Sequence, residues 1–167
     1  GFIDYIYNAT LLNSDLDYEA ELEDYFSHVY GKDWQKVRDY LNKVTETFDF
    51  IYMTGEGSAD SRRGTYFNPA WAEKLPAIKA LAAEGKAIAE AHLAMPNRPQ
   101  TVSMRLLLRH AEYCELLAEA AVELARGDME AFQKKREAMA DTFGRHEFEL
   151  ERYFDHALCM KNLEWAK

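Results

Sequence analysis

The stretch RHEFELERYFDHALC, residues 145–159, holds the densest run of titratable side chains in the chain. On a helix His146 and Glu149 stand three apart and project to one side, a spacing at which an imidazole and a carboxylate can share a metal ion. Arg152, Asp155 and His156 follow close behind. The zinc-protease spacing His-Glu-x-x-His is not met, because His146-Glu147 is followed by Phe148, Glu149 and Leu150 and no second imidazole returns to the same face. A di-iron carboxylate bundle needs Glu-x-x-His on two helices, and the sequence contains none. These residues therefore read as a solvated charged face laced by pairs such as Glu149 with Arg152, and neither a metal nor another cofactor is expected.

The remaining candidate nucleophiles and bases stand alone. His110, in LLLRHAEY, lies at the edge of a long apolar face with no acid or nucleophile at a telling spacing, so it reads as a core or boundary histidine. Cys114 and Cys159 fall on separate helices and match no metal-ligand spacing; they read as buried structural thiols. Asp and Glu number 29, so a glycosidase-type acid/base pair would arise by chance almost anywhere and spacing singles none out. No catalytic residue is assigned.

Binding residues are easier to nominate. The segment 54–68, TGEGSADSRRGTYFN, has three glycines and no periodicity, and loops of this length in compact domains tend to be functional or mobile. Its glycines precede no Lys-Ser/Thr and follow no strand, so they are not a phosphate cradle. Arg62 and Arg63 form a doubled positive charge in an acidic chain and suit a carboxylate. Tyr66, Phe67 and Trp71 supply flat rings that can stack on a pyranose face. These five are the candidate ligand-binding residues, with carbohydrate as the candidate ligand. The competing reading has the rings closing the end of a helical bundle and the arginines meeting a neighbouring carboxylate.

The elements that must carry these groups are helices. Residues 101–126 repeat apolar or small side chains at spacings of three and four, with a second row at Leu107, Cys114, Ala118, Ala121 and Val122. A stripe that wide implies neighbours on more than one side. Thr101 is a candidate N-cap and Gly127 a candidate left-handed terminator. Residues 2–12 fit a helix better than an alternating strand. Asp15 or Asp17 can cap a helix ending at Gly31, and Asp33 one carrying Trp34, Val37, Leu41, Val44, Phe48 and Ile51 at heptad spacing. Asn68-Pro69 starts a helix reaching 94, in which Pro76 marks a kink or the effective beginning. Small residues at 82, 85 and 89 imply a close helix approach. Asp128 opens a final helical stretch, 129–164, that Gly144 divides or leaves as one. The expectation is a single all-α domain, an antiparallel bundle of five to six helices around 101–126.

Composition narrows the partners. With 167 residues the chain fits one domain that buries about 70% of its unfolded surface. A net charge of −9, with no run of basic residues, removes the electrostatic attraction that nucleic acid or an anionic membrane surface would require. No apolar run approaches the roughly 20 residues of a membrane-spanning helix.

The order of elements carries a resemblance. The run from Tyr5 to Gly31, the aromatic heptad helix, the stretch FNPAWAEKLPAIKALAAEGKAIA and then RPQTVSMRLLLRHAEYCELLAEAAVELARGD resemble the C-terminal helical part of a family of large bacterial proteins, the domain of unknown function 4838. The likeness rests on an acid-rich helix ending in Tyr30-Gly31, on the aromatic-Asn-Pro-x-Trp start at 67–71, and on Arg98-Pro99 followed by Val102 and Arg105-Leu106. Leu12-Asn13 departs from the Leu-Trp pair expected before the acidic turn. The resemblance implies a fragment of a multidomain, carbohydrate-active protein: an accessory helical domain, inert alone, packed on a preceding glycoside-hydrolase-like (β/α)8 barrel of the same parent chain. The alternative is a free-standing helical module for protein–protein interaction.

Exposed ion pairs are each worth about 0–1 kcal/mol. Replacing Arg62 and Arg63 together with alanine is therefore expected to leave thermal stability almost unchanged. A fall in melting temperature beyond roughly 5 °C in a thermal scan would mean that the loop is an ordered part of the bundle.

Overall fold

The computed structural model describes residues 1–48 and 69–162, and among these the fold is all-α with no strand. The helices are α1 (Phe2–Leu12), α2 (Tyr18–Tyr30), α3 (Trp34–Thr47), α4 (Pro69–Lys74), α5 (Ala77–Glu90), α6 (Arg98–Arg126), α7 (Met129–Arg145), α8 (Glu147–Leu150) and α9 (His156–Asn162). Six of them are eleven residues or longer. They pack together without a clear antiparallel order throughout. Ile51, which would extend the α3 heptad, and the segment 54–68 lie outside the described residues.

Helix α6 is the axis of the molecule. It runs 29 residues and buries Met104, Leu107, Ala111 and Cys114 along one part and Leu117 to Ala125 along the other. Its first flank meets Val37, Tyr40 and Val44 of α3 and Ile78 and Ala89 of α5; its second meets Leu75 at the α4–α5 junction, then Phe132, Met139 and Phe143 of α7 and Leu150 of α8. The two clusters explain the width of the apolar stripe, since one helix serves two sets of neighbours.

The ends of the elements follow local chemistry, with some shifts from expectation. Asp17 caps α2, accepting from the backbone N–H of Glu19 and Ala20. Gly31 follows α2 with φ 76°, a left-handed value that suits glycine. Gly127 closes α6 at φ 79°, where Asp128 N–H bonds Glu123 O and Gly127 N–H bonds Leu124 O, a Schellman pair. Thr101 does not cap α6. The helix starts three residues earlier, after Asn97, because Pro99 is well placed in a first turn whose N–H groups have no intrahelical acceptor; Thr101 Oγ1 instead accepts from Met95 N–H. Asp33 precedes α3 but makes no capping bond. Its carboxylate turns to Lys36 and to His92 Nε2, 2.9 Å away, and so ties the start of α3 to the segment after α5. Pro76 separates α4 from α5 and thus marks the effective beginning, while α5 stops at Glu90 rather than 94. Gly144 stays inside the last turn of α7, and the stretch to 162 forms three helices where one or two were expected. Tyr153 and Leu158 are exposed, whereas Phe154 packs against the second core cluster.

The small residues of α5 do what their size suggests. Ala82 and Ala89 are fully buried, and Gly85 faces the Tyr40 ring so closely that an added Cβ would sit 2.5 Å from Cζ. Tyr40 is itself fully buried, and it was not among the expected core positions of α3. Gly85→Ala gains about 1 kcal/mol of helix propensity, but it must push a buried ring aside, an overpacking cost of about 1–3 kcal/mol. The expected net result is a lower denaturation midpoint in urea; an unchanged or higher one would show that Tyr40 can move freely.

Candidate functional site

The titratable run at 145–159 is broken up by the fold. Helix α7 ends at Arg145, and His146 is the hinge into the single turn of α8. His146 Nδ1 lies 3.7 Å from Glu149 Oε2, but that carboxylate is taken by Arg109 of α6, whose Nε donates to it at 3.1 Å. A second arm of Arg109 reaches Glu112 at 2.8 Å. The expected Glu149–Arg152 pair is therefore replaced by a tie between α8 and α6, because tertiary packing brings a half-buried guanidinium nearer than the helical neighbour. Asp155 accepts from Leu158 N–H and caps α9. Among the described residues no three His, Cys, Asp or Glu side chains gather as a metal-holding group.

Above this tie the side chains leave a cavity of about 150 Å³. Tyr113 of α6, Phe143 of α7 and Phe154 form an aromatic wall, with edge-to-face centroid separations of 4.9 Å for Tyr113–Phe143 and 5.6 Å for Tyr113–Phe154. Leu106 and Leu150 complete the apolar lining, and Arg109 and His110 stand at the wall. Tyr113 Oη contacts Cys159 Sγ at 2.7 Å, which satisfies the phenol and fixes its ring. Burial, and then this contact, push the Tyr113 hydroxyl up, and burial does the same to the Cys159 thiol. Both stay protonated at neutral pH, so neither is an activated nucleophile.

His110 is also committed to structure. Its Nδ1 is hydrogen-bonded to Tyr40 Oη at 3.2 Å, and its Nε2 faces Cys114 Sγ at 3.6 Å. A phenol donating to Nδ1 leaves the ring proton on Nε2, toward the weakly accepting sulfur. Burial holds the imidazole below its ordinary pKa, raises the Tyr40 hydroxyl and lifts the Cys114 thiol to about 12. The expectation of a core histidine and a buried structural thiol agrees with this placement.

A separate, open groove of about 730 Å³ adjoins the cavity, and Leu106 and Tyr153 line both. Arg98 and Arg152 line it, with Gly1, Tyr25, Val29 and Val102.

Of the five residues nominated for ligand binding, Arg62, Arg63, Tyr66 and Phe67 lie outside the described residues. Trp71 is half-buried on α4, packed against the second core cluster, with Lys74 Nζ 4.6 Å from the centre of its ring. The groove and cavity were missed at the level of sequence. Tyr153 and Phe154 announce an aromatic surface, but Arg98 and Arg152 are 54 positions apart, and no periodicity links them.

No protein-family model, no curated protein and no solved structure matches this chain. Among the described residues no helix is long and apolar enough to cross a membrane.

Since His110 is held neutral in the folded state, the unfolded chain takes up a proton as pH falls through about 6.5 while the folded chain does not. Its contribution is complete above that value and is lost below it. The melting temperature is expected to fall more steeply between pH 7.5 and 5 in the parent protein than in His110→Asn, which keeps an amide near Tyr40; parallel slopes in differential scanning calorimetry would contradict this.

Proposed function

We propose that this chain is an accessory helical domain of a glycoside-hydrolase-like protein, docking through α1 onto a (β/α)8 barrel, and that it performs no catalysis by itself. The observation that carries the reading is the pair of faces on α1. Phe2 and Tyr5 pack inward on Tyr25 and Phe26 of α2, with ring centroids 5.1–5.7 Å apart, and Tyr5 Oη bonds Glu21. Ile3, Tyr7 and Leu11, spaced at i, i+4 and i+8, turn outward at 79, 63 and 67% exposure, and Leu12 is 90% exposed. A helix so apolar on its solvent side is suited to being covered.

The identity of the cover, a barrel, rests on the resemblance of the 5–31, 67–89 and 98–128 stretches to the domain of unknown function 4838. The same outward stripe suits the second reading, a free-standing interaction module. The encoding reading frame separates them: a barrel in frame with this domain is expected, and a frame without one overturns the first reading in favour of the second. Incubation of the chain alone with aryl-glycosides is expected to give no turnover; substantial turnover would refute the accessory role.

A further inference from the structure

The groove at Arg98 and Arg152 and the cavity behind Leu106 have different chemistries and a shared boundary. Both are lined by Leu106 and Tyr153, so a bound molecule can occupy the two at once. The cavity is almost wholly apolar, and its rings stand edge to face. A dry apolar cavity of about 150 Å³ is large enough to admit one benzene ring, and this one has that volume. Its one charged wall residue, Arg109, is already neutralised by Glu112 and Glu149.

The groove is its electrostatic opposite. In a chain of net charge −9, its charged side chains are the two arginines and no Asp or Glu lines it; Gly1, whose ammonium is held by Asp4 at 2.6 Å, completes its rim. Both arginines are exposed, and neither makes an ion pair with a described residue. Elsewhere several basic side chains meet an acid of another element: Lys43 meets Glu84, Lys86 meets Glu115 and Lys135 meets Glu123. Ser103, one turn into α6, adds a hydroxyl to the same wall. Guanidinium groups that no described acid neutralises, beside an apolar slot, are suited to a carboxylate, which they can grip with paired N–H donors.

We infer that the joined groove and cavity form a binding site for a small aromatic carboxylate, with the ring in the cavity between Tyr113, Phe143 and Phe154 and the carboxylate in the groove with Arg98 and Arg152. The ring supplies apolar burial and edge-to-face contact. The carboxylate supplies the charge that orients it. The cavity lies on α6, α7, α8 and the segment after α8, and the groove adds Gly1, just before α1, and Tyr25 and Val29 of α2; the outward residues Ile3, Tyr7 and Leu11 of α1 line neither space.

The test is calorimetric titration of the whole chain with 3-phenylpropionate, backed by proton NMR of the ligand. Binding with a dissociation constant at or below about 1 mM is expected. Propionate, which lacks the ring, and 3-phenylpropan-1-ol, which lacks the charge, are each expected to bind at least about tenfold more weakly, a loss typical of a charge-assisted bond or a buried ring. The surface double variant Arg98→Gln/Arg152→Gln keeps the core intact and is expected to bind the carboxylate at least about tenfold more weakly while retaining the parent circular dichroism spectrum. Leu106→Trp, which fills the shared boundary, is expected to abolish binding. No binding at about ten times the expected constant, equal affinity for acid and alcohol, or an unchanged constant in the double arginine variant would each overturn the assignment.

Discussion

A helix of 29 residues that is apolar on two flanks must be covered on both, and this requirement organises the molecule. At 1.5 Å per residue α6 is about 44 Å long, too long for one neighbour of ordinary length. Helices α3 and α5 take its first flank, while α7, α8 and the α4–α5 junction take its second. Approach on the first side is limited by the smallest groups available. Gly85 lets the Tyr40 ring lie between α5 and α3, and this places the phenol where His110 of α6 can bond it. One missing Cβ thereby joins three helices.

Of the polar contacts that cross elements, two half-buried ones position short segments. Asp33 binds Lys36 and His92 and pins the start of α3 to the end of α5; its carboxyl is held below the usual carboxylate range by the Lys36 bond first and the His92 bond second. Arg109 spans Glu112 and Glu149 and fastens α8 to α6. Such charge-assisted bonds are directional where apolar packing is not, so they set where the short helices sit rather than whether they are covered. The Arg109 tie also shapes the cavity: it holds Leu150 inward while the three rings beside it, meeting edge to face, do not close the space between them.

The outer surface is divided in consequence. Helix α1 touches the rest chiefly through the aromatic cluster on α2 and leaves Ile3, Tyr7 and Leu11 outward, whereas the groove side joins two exposed arginines to an apolar slot. An apolar helix face is suited to a broad, flat partner. A charged groove beside a small apolar cavity is suited to a small molecule, because only something narrow can fit among the rings behind Leu106.

The sequence by itself determined the helices and most of their ends. Periodicity of apolar residues is a local property, and so are Asp15 or Asp17 as a cap, Gly31 as a helix end, Gly127 as a left-handed terminator and Pro76 as a kink or a beginning; the structure chose Asp17 and the beginning. The close approach at residues 82, 85 and 89 was also legible, since a run of small residues on one face has few other uses. What the neighbouring helix would place there was not: Tyr40 sits beside Leu41 in a pattern that accepts either as the inward residue, and only the position of Gly85 selects the ring. Local rules likewise assigned Thr101 and Asp33 to caps and Glu149 to Arg152; Asp33 and Glu149 were drawn away by His92 and Arg109, distant in sequence, and Thr101 by Met95 in the preceding turn. The cavity and its groove belong wholly to the tertiary structure. They are made by residues from four separate stretches of chain, and the void depends on how edge-to-face rings fail to fill space, a property of three-dimensional packing that no spacing along the chain encodes.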